Sequence, residues 1–355
     1  MRFNNLILIM LGVIVVFIIG VILLELRAVL LPFVIALLLS MIFKPIVVQL
    51  QRRRVPMAVS LMVVLLTFST VLFLVGLALY ATIDPFVEQL PYYQARLNAM
   101  ISGLIAMTEG LLLRMGIAPE EVAWRQVIDL ASLTPMVTSG VGTFISFVSN
   151  AVLVLLFMLF ILAGSGGLSV KVRTAFPDAY ASRIAQVIVN VDRQVRQYLI
   201  TKTLISLGTG ALTWLVLLIL GVDFPLIWGF IAFLLNYIPN IGSMIAVLFP
   251  FVWSLLQFET FTVPLLVLLL LGGVQMIMGN VIEPKIMAFS LNLSPLLVLM
   301  SLIFWGWLWG IWGMVLAVPL TGAIKIFFEN VEPLAPLSVL MSEKTGPGRG
   351  AYPPL

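Results

Sequence analysis

Two long stretches of this chain carry no charge: Phe224 to Phe258 and Ile286 to Ile324. An α-helix rises about 1.5 Å per residue, so about 20 apolar residues cross a hydrocarbon core about 30 Å thick. Each run is too long for one simple crossing. In hydrocarbon every backbone N–H and C=O must pair within the protein. Each run is therefore one span with an appended broken segment, or a re-entrant hairpin.

Composition generalises the point. The chain of 355 residues is 62% apolar and 10% charged, where a soluble domain has about 45–50% and about 25%. This is an integral membrane protein, not a soluble fold with one anchor. It has no Cys and no His. That excludes disulfides, Cys or His zinc sites, and His-dependent catalytic triads, and it removes the usual neutral-pH proton carrier. No cofactor, enzymatic activity or nucleic-acid partner is expected. "MRFNNLILIM" has one Arg before a long apolar run and no small-residue cleavage site, so it reads as a retained first span.

The remaining apolar runs are Leu6–Leu24, Ala28–Phe43, Met57–Ile83, Val141–Ala163, Thr203–Val222 and Thr260–Ile282. Ala28–Phe43 is short and holds Pro32, so it is expected to be a short or broken span. The fold expected is all-α: a polytopic transmembrane helical bundle of about eight spans with broken or re-entrant segments. With both termini cytoplasmic, Arg2, Lys44, Arg52 to Arg54, the basic residues from Lys171 to Lys202, and Lys325 all fall inside. Arg27, Arg96, Arg114, Arg125 and Lys285 fall outside. That bias obeys the positive-inside rule.

The chain divides into residues 1–83, N-terminal transmembrane helices; 84–140, an extracytoplasmic helical subdomain; 141–163, a transmembrane helix; 164–202, a cytoplasmic amphipathic segment; 203–331, a C-terminal bundle with a broken helix; and 332–355, a flexible tail. In 84–140 apolar residues recur at helical spacing from Leu90 to Ile105, and "MGIAPEE" breaks the pattern. From Ile184 to Leu199 one apolar stripe opposes a basic face, with Asp192 and Arg196 spaced to pair. Such a helix suits an anionic inner leaflet. "GSGGLSVK", Gly164–Lys171, lacks the order of a phosphate-binding loop and reads as a turn.

The polar points at membrane depth are the candidate site. "NYIPNIGS" breaks a helix at Pro239 and Gly242, and Asn236, Tyr237, Asn240 and Ser243 can hydrogen-bond the freed backbone or a solute. The competing reading is a packing kink that uses its own asparagines. "GNVIEPKIM" carries Glu283 and Lys285, the charges between Glu259 and Lys325, with Asn280 beside them. These are candidates for ion or proton coupling, or simply a wet interfacial loop. "VIALLLSMI" at Val34–Ile42 echoes "FIAFLLNYI" at Phe230–Ile238, each with a proline shortly after. That pairing would place a second break in the first half. "WGWLWGIWG", Trp305–Gly313, reads as an aromatic belt or packing segment.

Taken jointly, "LLPFVIALLLSMIFKPIV", "WGFIAFLLNYIPNIGSMIA", "GNVIEPKIM" and "LNLSPLLVLMSLIFWGWLWGIWGMVLAVPL" resemble the autoinducer-2 exporter family, over nearly the whole chain. The resemblance implies an inner-membrane permease of seven or eight spans that exports a small polar solute such as autoinducer-2 without ATP hydrolysis. It maps the family motif onto Asn236, Pro239, Gly242, Glu283 and Pro284. Other branches resemble sodium or lithium/proton antiporters, with Glu283 as the titratable group. A third reading is a membrane scaffold or regulator. Membrane lipids are the expected surroundings, and Gly-rich span faces would allow a homo-oligomer.

Overall fold

The computed structural model describes residues 3–114, 150–164, 174–287 and 291–343. They are helical apart from short connections and one isolated bridge between Leu293 and Ser342. The helices are α1 (Phe3–Glu25), α2 (Arg27–Arg52), α3 (Met57–Arg114), α4 (Asn150–Gly164), α5 (Asp178–Ile219), α6 (Pro225–Leu235) and α7 (Ile241–Gln257). Then come α8 (Thr262–Gln275), a π-helical turn (Met276–Ile282), α9 (Glu283–Ile286), α10 (Pro295–Glu329) and α11 (Ala335–Leu340). The turn at "MGIAPEE", the glycine-rich turn beyond Gly164 and the tail from Thr345 lie outside the described residues.

Among the described residues five helical stretches are long and apolar enough to cross a bilayer: Arg27–Arg52, Met57–Thr82, Tyr180–Ile219, Thr262–Ile286 and Pro295–Glu329. Phe73, Leu74, Phe160, Ile219 and Leu269 point outward and are exposed. In water they would form an aggregation surface; here they face lipid.

The first charge-free run folds back on itself. Phe224 and Trp228, at the start of α6, lie against Trp253 near the end of α7, with ring centroids 5.9 and 5.5 Å apart. The base of this hairpin is tied by the Asp223 N–H donating to Gln257 Oε1 (2.8 Å) and Gln257 Nε2 donating to the Gly221 carbonyl (2.9 Å). The tip is closed by backbone bonds, Ile238 N–H to Leu235 C=O (2.8 Å) and Gly242 N–H to Ile238 C=O (3.1 Å). Asn240 turns the chain at φ 60°, a conformation that Asn tolerates better than most residues. Gly242 is obligatory for a different reason: a Cβ there would lie 1.8 Å from the Leu235 carbonyl oxygen.

The second run does the same. Pro295–Glu329 qualifies as one span by length, yet Trp309 and Gly310 leave helical geometry, Gly310 at φ 63°. Trp305 Nε1 donates to Thr321 Oγ1 at 3.2 Å, a pair that a straight helix would hold about 24 Å apart. At the other end Lys325 Nζ donates to the Leu291 carbonyl (3.1 Å), so the second arm returns to the start of the first. Gly313 repeats the role of Gly242, with a Cβ position 1.8 Å from the Trp305 carbonyl oxygen. The Trp-rich segment is thus the tip of a second hairpin, with Trp305 and Trp309 buried.

The hairpins enter from opposite ends. The first hangs from the C-terminal end of α5 and the start of α8. The second begins beyond α9, where α8 has run its length to the other side. Both tips join one core with the middle of α5 and α2, through Tyr198, Leu235, Ile238, Trp305 and Trp309. A separate core packs α2, α3 and α4 around Val64 and Met158.

One expectation is corrected. α2 runs unbroken through Pro32 and Pro45 for 26 residues. The echo at Val34–Ile42 is not a second break. Lys44 and Ile46 stand where the first hairpin has Asn240, which turns at φ 60°, and Gly242, where a Cβ would meet the Leu235 carbonyl oxygen. The structural counterpart of that hairpin is at Trp309–Gly310. Gly242→Ala and Gly313→Ala should each destabilise the protein by about 1–3 kcal/mol or more by overpacking. Gly272, with nothing within 4 Å of its Cβ position, should accept Ala without loss. Thermal melting of the purified protein in detergent reads all three.

Candidate functional site

The first hairpin ends against one turn of α5. Asn236 Nδ2 donates to Ser206 Oγ at 3.0 Å. The Tyr237 hydroxyl lies 2.7 Å from Thr203 Oγ1. Because Thr203 gives its own proton to the Leu199 carbonyl (2.7 Å), it accepts from Tyr237. Beside Thr203, Lys202 is buried, and its Nζ pairs with Glu283 Oε1 at 2.5 Å. Lys202 is about 26 Å along α5 from its C-terminal end at Ile219, within the long apolar helical stretch Tyr180–Ile219.

Glu283 reaches α5 from an irregular helix. The π-helical turn Met276–Ile282 directly precedes it. π-turns insert a residue into a helix and re-aim the side chains that follow, and they concentrate at functional sites. Met278 from this turn is buried near Gly208 of α5, where a Cβ would lie 3.1 Å from Met278 Cε. A buried ammonium without its carboxylate would be strongly unfavourable, so the pair locks α5 to the end of α8. Among the described residues no cluster of acids could hold a metal ion.

The sequence-derived residues divide. Asn236, Tyr237 and Glu283 meet α5 directly. Pro239 and Asn240 shape the tip, Asn240 exposed, while Gly242 is buried beneath it and Ser243 is half-buried. Asn240 places no side-chain cap on α7, so the tip is closed by backbone, and Asn236 spends its amide on α5. Asn280 and Lys285 are exposed, and among the described residues neither pairs with the tip.

The residue pattern does not single out Lys202, Thr203 or Ser206. It places Lys202 at the end of a cytoplasmic segment, whereas α5 runs through it without a break. The available signal was a buried polar stripe, Lys202, Ser206, Thr209 and Thr213, at helical spacing.

At the opposite end of the first hairpin α3 supplies a clamp. The Tyr93 hydroxyl donates to Asp223 Oδ2 and Arg96 Nη1 donates to the Gln257 carbonyl (3.1 Å). Burial first, and then Asp223, pushes the Tyr93 hydroxyl above its usual range, so it remains a donor.

Two helical hairpins converging on polar contacts and an ion pair inside an apolar bundle belong to a polytopic membrane protein. The chain belongs to the AI-2E transporter family, whose model matches residues 7–332. It is similar to the AI-2 transport protein TqsA of Escherichia coli K12, at 36% identity over 95% of each chain. It is also similar to a candidate transport protein of Borreliella burgdorferi, at 31% identity over 89% of this chain and 85% of that one. YhhT of E. coli K12, another candidate transport protein, is 34% identical over 88% and 87%. The protein is a multi-pass transporter of the bacterial inner membrane.

Removing one partner of the pair, as in Glu283→Gln or Lys202→Met, should cost about 3–5 kcal/mol. Lys202→Met combined with Glu283→Gln should regain much of it. A double-mutant cycle on thermal stability measures the coupling.

Proposed function

We propose that this transporter exports autoinducer-2 without ATP hydrolysis. The observation that carries the substrate is its relation to TqsA across the whole chain. The chemistry of the first hairpin supports it. Asn236, Tyr237, Thr203 and Ser206 form hydroxyl and amide pairs that a small hydroxylated solute can exchange for its own hydrogen bonds. Pro239, Asn240, Gly242 and Ser243 give the tip a shape that can shift as a unit, as the broken helices of transporters do.

A membrane arrangement goes with this reading. α1, α2, the first part of α3, α4, α5 and α8 cross, and the two hairpins dip in from opposite faces, making eight embedded segments. Both termini are then cytoplasmic, in keeping with the basic residues. The described part of the segment that begins at Asp84, as far as Arg114, stands outside as a cap whose Tyr93 and Arg96 hold the first hairpin at its base. The small residues on span faces suit a homo-oligomer.

The second reading, a sodium or lithium/proton antiporter, is favoured by the Lys202–Glu283 pair. Glu283 would be the coupling group, with Asn280 and Lys285 at its exposed side.

Extracellular autoinducer-2 from cells carrying Asn236→Ala, Tyr237→Phe or Ser206→Ala at matched membrane levels should accumulate several-fold more slowly. Loss of one such hydrogen bond is about 1 kcal/mol, or about five-fold. Unchanged export in all three variants would sink the site. Sodium-dependent proton flux in vesicles, abolished by Glu283→Gln, would favour the antiporter instead.

A further inference from the structure

A cavity of about 960 Å³ lies well away from the hairpin tips, in the seam between the α2–α3–α4 core and the α5–hairpin core. Met41 of α2, Phe160 of α4, Val187 of α5 and Phe327 of α10 are among its walls. Its polar lining is sparse. Ser40 already donates to the Leu37 carbonyl at 2.6 Å. The charged lining is Lys44 and Asp192, joined at 3.1 Å. Asp192 is also held by Arg196 at 3.2 Å, one turn along α5.

Two cations therefore share one carboxylate. Lys325 and Glu329 on the neighbouring helix neutralise each other at 2.9 Å, so they leave the balance unchanged. Among the described residues the cluster retains one uncompensated positive charge at an apolar cavity. Lys44 is about 12 Å along α2 from Arg52, on the side where basic residues gather. A small polar solute finds few free hydrogen-bonding groups here. A molecule with a negative head and a hydrocarbon body finds both of its halves matched.

We propose that this cavity is a specific site for an anionic phospholipid of the inner leaflet. Its phosphate rests on Lys44 and Arg196, and an acyl chain fills the seam between α2, α4, α5 and α10. The site goes beyond the transport reading and does not depend on which solute is carried. A lipid there joins the two cores across their seam.

Native mass spectrometry of the full-length protein in detergent tests this, with phosphatidylglycerol and phosphatidylcholine of identical chains as probes. Phosphatidylglycerol should be retained about ten-fold more strongly. Lys44→Gln with Arg196→Gln should bring the two lipids near parity. Asp192→Asn should do the reverse and raise phosphatidylglycerol retention, which damage to the fold would not. Ala185→Phe, which fills the cavity without touching a charge, should lower retention of both lipids. Equal retention of the two lipids by the unaltered protein overturns the proposal, as does reduced retention in Asp192→Asn. Displacement of phosphatidylglycerol by glycerol phosphate alone would make a free phosphate the ligand and would equally overturn it. So would inter-chain crosslinks between Phe160→Cys and Phe327→Cys that exclude lipid, because a second copy would then occupy the seam.

Discussion

A chain that turns round inside hydrocarbon leaves the last carbonyls of one helix and the first N–H groups of the next without helical partners. Lipid offers no substitute. Both hairpins answer this by bringing their arms so close that a glycine must sit at the crossing. Gly242 lies under the Leu235 carbonyl, and Gly313 lies under that of Trp305. The tight approach lets the turn close on itself and lets the tip lie against protein. The burial of Asn236 and Trp309 and the convergence on α5 follow from that closeness.

α5 is the common support. Over one turn it offers Lys202, Thr203 and Ser206, and each meets a different partner from another element. The tip of the first hairpin and the end of α8 are thereby referred to the same surface. A shift of α5 relative to α8 must disturb the ion pair, and a shift of the hairpin must exchange the Ser206 and Thr203 contacts. The π-turn before Glu283 and the tip of the first hairpin are both departures from regular helix, and both meet the same turn of α5.

Much of this was legible in the residues. The charge-free runs required more than a simple span, and Pro239 with Gly242 marked where the first one turns. The second turn was harder to see, because "WGWLWGIWG" contains no proline and its tryptophans suggested a belt. What identifies it is Gly310 at positive φ, a property that composition does not display. The repeat between Val34–Ile42 and Phe230–Ile238 misled for the converse reason. Identical apolar letters describe a helix face, whereas the turn depends on the few residues after it. Lys202 was hidden by a sound rule: a basic residue at the edge of an apolar run is usually wet. Its carboxylate partner lies in another helix, and the reach of Glu283 depends on a π-turn that the letters do not announce.

The tip of the second hairpin has one further attachment. Trp309 Nε1 donates to the Leu23 carbonyl at 3.2 Å, near the end of α1. α1 is otherwise exposed along much of its apolar surface. Among the described side chains, the amino-terminal helix is therefore fastened at its end to the second hairpin. Any tilt of that hairpin is transmitted to a rod about 35 Å long, so an ångström-scale motion at the tip becomes a sweep of several ångströms through the surrounding lipid.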